Sequence, residues 1–153
     1  MFLSGILARG RTRVKAGPAA SLASWLRWLA PLALMAWIFY LSQQAAPFGG
    51  ASNDLESTAA HVVLYGTLAA LLWWALSTAE GAPAWLIGWQ SFALAVLYGA
   101  IDEVHQAFVA GRTASEADLG LDAAGALAAV LLGASLPPLL RAGRGWASRF
   151  QRP

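Results

Sequence analysis

AWLIGWQSFALAVLYGAIDEVHQAF, running from Ala84 to Phe108, decides the fold. Its first eighteen residues hold no charge, and its last seven carry Asp102, Glu103, His105 and Gln106. A run of this length and polarity covers the ~30 Å of hydrocarbon in a bilayer, which takes roughly 17 to 25 apolar residues. Charged side chains at the centre of such a span cost roughly 2.5 to 3.5 kcal/mol each on insertion scales, so they sit there for a reason.

The same reading extends outward to three more apolar stretches, at 25–43, 58–77 and 119–140. Of the 153 residues, 58% are hydrophobic and 12% charged, and 8 are Trp. That composition leaves a water-soluble domain short of polar surface. The expected class is all-α: a polytopic membrane protein of four transmembrane helices. A basic arm (1–24), a four-helix domain (25–140) and a basic tail (141–153) divide the chain. Span one exceeds the usual signal-peptide core of roughly 7–15 residues and reads as a retained helix, with Ala45 and Ala46 the small residues of the rival cleavage-site reading. Gly81 and Pro83 mark a tight turn between spans two and three. There is no cysteine, which excludes disulfides, thiolate metal sites and a cysteine nucleophile.

Basic residues set the expected orientation, because Arg and Lys near helix ends stay on the cytoplasmic side. Arg9, Arg11, Arg13, Lys15 and Arg27 precede or open span one, and Arg141, Arg144, Arg149 and Arg152 follow span four. Both termini are therefore expected in the cytoplasm. Arg112, between spans three and four, is the remaining cation, and the loop before span two carries Asp54 and Glu56. Trp25, Trp28, Trp73, Trp74, Trp85 and Trp89 fall near the same predicted cytoplasmic ends, at the headgroup level that indole prefers. The basic arm suits an anionic membrane surface, and nothing in it supports a nucleic-acid partner.

A helix rises 1.5 Å per residue, which puts His61, Glu103 and Asp122 in one layer near the outer ends of spans two, three and four. Residues three or four apart share a face: His61 with Tyr65, Asp102 with His105 and Gln106, Asp118 with Asp122. In hydrocarbon these polar edges turn inward and pair. Ser115 is the expected cap of span four, with Glu116 and Asp118 favourable at its positive end, and capping is the leading role for Asp118. Arg112 reads equally as a partner for Glu103 or Asp118 and as an anchor for a ligand's phosphate or carboxylate. Asp102 and Glu103 read either as an ion-paired or proton-sharing lock between helices or as an acid and base pair. His61 reads first as a hydrogen-bonding partner of Tyr65 or a carbonyl. His61, Glu103, His105 and Asp122 could hold a divalent ion, since imidazole and carboxylate suit zinc or manganese, yet no zinc motif is present and the site is read without metal or cofactor. Gly125, Ala129 and Gly133 form a small-residue stripe that permits close helix packing, within the chain or in a homo-oligomer. No Gly-x-Ser-x-Gly elbow or phosphate loop occurs, so catalysis stays open without a motif to carry it.

The run Asp102-Glu103-Val104-His105-Gln106-Ala107-Phe108, then Gly111-Arg112, Ser115, Asp118, Asp122 and Gly125, resembles the signature of VanZ-like membrane proteins. His61 with Tyr65 and Gly66 fits the family's His-x-x-x-Tyr element, and Ile38 to Ser42 before Pro47 fits its first helix, so that the resemblance covers about residues 36–133. Thr58 stands where many relatives have Lys, and Asp122 where many have Asn, so the layer here is more negative. The resemblance implies a small multi-pass protein of the bacterial inner membrane, with low-level resistance to the lipoglycopeptide teicoplanin as the associated role. The expected ligand site is His61, Tyr65, Asp102, Glu103, Gln106, Arg112, Asp118 and Asp122, facing outward and recognising an envelope lipid, an amphiphile or a lipoglycopeptide. The rival reading is a structural or assembly subunit, followed by a proton-coupled transporter or a membrane hydrolase.

Overall fold

The computed structural model describes residues 25–45, 54–77 and 82–149, with side chains as far as Ser135. Its regular elements are helices: α1 (Leu29–Ser42), α2 (Asp54–Leu76), α3 (Ala84–Gln106) and α4 (Glu116–Arg149). Three are long and apolar enough to cross a membrane, through Leu55–Leu76, Ala84–Gln106 and Glu116–Ser135. The arm at 1–24, Ala46 and Pro47, the turn residue Gly81 and the basic side chains of the tail lie outside the described residues.

Three helices differ from their expected extents. α2 begins at Asp54 rather than 58, so Asp54 and Glu56 lie in its first turn and not in the loop before it. α1 has 14 residues, shorter than the expected 25–43, because Pro31 lies in its first turn. Proline has no N–H and its ring crowds the carbonyl four residues earlier, that of Arg27, so the regular helix starts after that point. Trp25 and Leu26 form a separate helical turn before it, closed by the bond from Trp28 N–H to Trp25 O at 3.1 Å. α4 begins at Glu116 rather than 119, and its backbone continues past the expected end at 140 to Arg149.

α2 and α4 form the most extensive pairing, α3 packs on both, and α1 leans more lightly on α2 and α3. Small residues make the close approach possible, which matters because apolar lipid provides no hydrophobic force between helices and packing must hold them. A Cβ on Gly125 would lie 2.9 Å from Val62 Cα and closer still to the Val62 carbonyl oxygen, and one on Gly66 would lie 3.1 Å from the Gly125 oxygen. Gly133 continues that stripe onto the ring of Trp73, and Ala129 packs against the core between them. The stripe therefore serves the intramolecular of its two alternatives. Tyr65, Leu68, Ala69, Leu72, Ala95 and Ala126 fill the centre, joined by Ile38 from α1.

Large apolar side chains cover the outside, among them Leu32, Trp37, Val63, Leu97, Ile101 and Leu131, each more than half exposed. Helices that are apolar all round belong in a core or in lipid. At one end of the bundle Arg27 lies over the Trp74 ring, 5.2 Å from its centroid, near exposed Trp25, Trp85 and Trp89. At the other end the turn after α3 places Gly111 at φ +81°, a conformation that favours glycine, close to Ala45 after α1. The polar layer lies at that second end.

Candidate functional site

The last turn of α3 sends two adjacent carboxylates to opposite sides. Asp102 is buried toward α1 and α2, where its Oδ2 accepts a hydrogen bond from Gln106 Nε2 at 2.9 Å. Gln106 Oε1 in turn accepts from Arg112 Nε at 3.1 Å and Nη2 at 2.6 Å. Arg112 thus engages neither Glu103 nor Asp118, the two acids offered as its structural partners, and the alternative of a ligand anchor stays open. Its backbone follows a turn that carries the guanidinium back over the α3 terminus, onto the face that Gln106 and Asp102 share.

Glu103 faces α4 instead. Its Oε2 accepts the backbone N–H of Ser115 at 2.7 Å, and Ser115 Oγ accepts the N–H of Asp118 at 3.2 Å. Ser115 is the cap of α4, as its spacing predicts. In a capping box the third helical residue reaches back to the cap's own N–H. Here Asp118 holds that position, but Glu103 from the neighbouring helix supplies the carboxylate. The Asp118 side chain is released to sit 3.8 Å from His61 Nε2, so it serves the layer rather than the cap.

His61 joins α2 to α4: its Nδ1 lies 2.8 Å from Asp122 Oδ1. Its ring is parallel to Tyr65, with centroids 6.3 Å apart, and makes no hydrogen bond to it. Asp122 is fully buried, and its Oδ2 has no hydrogen-bond partner. A Cβ on Gly99 would fall 2.7 Å from that oxygen, so the glycine makes room for it. His105 points elsewhere, against Phe39 of α1 with ring centroids 4.6 Å apart. Tyr98 fastens α3 to α1 by donating to the Met35 carbonyl at 2.6 Å.

A cavity of about 80 Å³ opens between α1, α2, α3 and the turn at Arg112. His61, Tyr65, Asp102, Gln106 and Arg112 line it, with Ser42 and Ser57, whereas Glu103, Asp118 and Asp122 stand behind it toward α4. Asp102 Oδ1 is buried there with no hydrogen-bond partner. The eight expected residues therefore form two adjoining groups rather than one. Ser57 was legible in principle, since it stands one helical turn before His61 on the same face. Ser42 and Gly99 carry no such signal, because what brings them to the layer is the packing of one helix on another.

The fold and layer define a class: among the described residues, an all-helical protein with three helices of membrane-crossing length and a set of acids, amide, imidazole and guanidinium packed at one end. A family model described as VanZ/LLP1 matches residues 27–137, and the chain belongs to that family. No curated protein and no solved structure matches it. The matched segment contains α1, α2, α3 and every residue of both polar groups.

Proposed function

We propose that this chain is a four-span protein of the bacterial cytoplasmic membrane, with both termini in the cytoplasm, whose outward-facing cavity binds a small polar group of an envelope amphiphile. For span one, the 14 residues of α1 rise about 21 Å at 1.5 Å per residue, and the separate turn at Trp25 before it carries the chain on toward the interface, where Arg27 lies. The carrying observation is the cavity itself: side chains from α1, α2, α3 and the Arg112 turn meet around it, and buried Asp102 Oδ1 lacks a donor. A carboxylate oxygen withdrawn from water costs free energy unless something donates to it, so a hydroxyl or ammonium group suits this position.

Size limits the ligand. At about 80 Å³ the cavity is well below the roughly 300–1,000 Å³ of drug-sized sites, so it encloses one headgroup and not a whole glycopeptide. Any protection against teicoplanin would act through an envelope component that the cavity holds. The test is expression in a teicoplanin-susceptible bacterium, comparing wild type with Asp102→Asn and Arg112→Gln at equal membrane abundance. Protection by wild type that is lost in both variants, with unchanged melting temperature in detergent, supports the pocket. Protection that survives both substitutions removes it.

One observation favours the second reading, an assembly or structural role. Glu103 accepts a hydrogen bond from the backbone at the start of α4, an interaction that holds α3 to α4. If all polar substitutions lower the melting temperature in proportion to lost function, the layer is helix glue.

A further inference from the structure

We propose that His61, Glu103 and Asp122 form a binding site for one divalent transition-metal ion of the Zn2+ or Mn2+ type, directly behind the cavity. The site shares His61 with the cavity lining, but rests on no particular cavity ligand. The three residues come from α2, α3 and α4, and each brings a ligand atom within 4.8 Å of the others. An imidazole with two carboxylates is a donor set that these ions accept.

The geometry needs little adjustment. Metal–ligand distances of about 2.0–2.2 Å in a tetrahedral site put ligand atoms about 3.4 Å apart. The present ligand atoms all lie within 4.8 Å of one another, so side-chain movements of about 1 Å close the set, the 2.8 Å hydrogen bond between His61 Nδ1 and Asp122 Oδ1 giving way to the ion.

A separate observation points to a cation as the partner of this group. Asp122 is fully buried, yet its Oδ2 has no hydrogen-bond partner, and His61 satisfies only Oδ1. Glu103 places Oε2 on the Ser115 N–H, leaving Oε1 for a ligand bond. The groups facing His61 are Asp118, Asp122 and Glu103, all acidic, and Arg112 is engaged with Gln106 across α3. A divalent ion offsets that excess and gives Asp122 its partner. Asp118, 3.8 Å from His61 Nε2, then becomes the carboxylate that orients the imidazole from behind, the usual companion of a metal-bound histidine. Three protein ligands leave a coordination position for water or a ligand atom.

The experiment uses the full chain, purified in detergent, stripped with a chelator and titrated with Zn2+ and Mn2+. Wild type should take up one ion per chain with a rise in melting temperature, and Co2+ in its place should give visible d–d absorption of a low-coordinate nitrogen and oxygen site. His61→Gln, Glu103→Gln and Asp122→Asn should each abolish uptake. Asp118→Asn should weaken it by about tenfold, the lower end of the effect of removing an orienting partner. His105→Gln should leave it unchanged. Absence of stoichiometric uptake by wild type overturns the proposal, and so does uptake that persists in the His61 and Glu103 variants. Should a variant fail to fold, wild-type stoichiometry and the Co2+ spectrum still decide.

Discussion

Successive residues on an α-helix differ by about 100° in direction, and the two acids at 102 and 103 part ways for that reason. Asp102 joins the Gln106 and Arg112 chain, while Glu103 takes the N–H of Ser115. Removing the cap oxygen by Ser115→Ala should lower unfolding free energy by about 1 kcal/mol, read by thermal unfolding in detergent. Glu103→Ala should cost about 1–3 kcal/mol, since it strips a partly buried N–H of its acceptor. Glu103→Gln keeps an acceptor oxygen and should cost less than Glu103→Ala. Equal losses from the two would mean that charge, not the hydrogen bond, is what Glu103 supplies. The cap at Ser115 was legible because it depends on local spacing. Glu103 as the other half of that cap was not, because it depends on how α3 sits against α4, and the same holds for Gln106 as the partner of Arg112. His61 and Asp122 were placed in one layer from helical rise alone, yet which of them touch follows from the depth at which Gly125 lets α4 meet α2.

That contact makes glycine the test at the scale of elements. Gly120 and Gly125 lie in the same helix, but a Cβ at 120 meets nothing within 4 Å whereas one at 125 enters the Val62 backbone. Gly125→Ala forces two backbones apart, and it should destabilise by about 1–3 kcal/mol or more. Gly120→Ala removes only backbone freedom, and should stabilise by about 0.5–1 kcal/mol. Two opposite shifts in melting temperature are therefore expected from one chemical change on one helix, and a matching sign would show that the α2 and α4 contact is looser than described. The stripe of Gly125, Ala129 and Gly133 was visible as a pattern, while its partner was not, since small residues announce closeness without naming what is close. Helix extents were read with similar limits. α3 falls within two residues of its expected bounds, because apolar length and Pro83 define it. α1 falls short, because the penalty of Pro31 on the preceding carbonyl outweighs the apolar run around it.

Across the whole molecule the two ends differ in kind: tryptophan rings and Arg27 at one, the polar layer and the Arg112 turn at the other. Composition made the membrane character legible, since no arrangement of so apolar a chain hides its surface from water. Orientation rests on a different force, the retention of Arg and Lys on the cytoplasmic side, with the tryptophan rings at the same ends. The absence of cysteine makes it directly testable, because any introduced thiol is the only one. Phe108 is 85% exposed in the turn after α3, at the end that carries the layer, so Phe108→Cys presents its thiol without disturbing the core. Pro83 is exposed just before α3, at the opposite end of that helix, and Pro83→Cys marks the other side. In intact cells a membrane-impermeant maleimide should label Cys at 108 and leave Cys at 83 untouched until the membrane is opened. The reverse pattern would turn the cavity toward the cytoplasm and end the case for an envelope ligand. Labelling of both in intact cells would mean that α3 does not cross the membrane, in which case its uncharged first eighteen residues would lack the lipid that their composition requires.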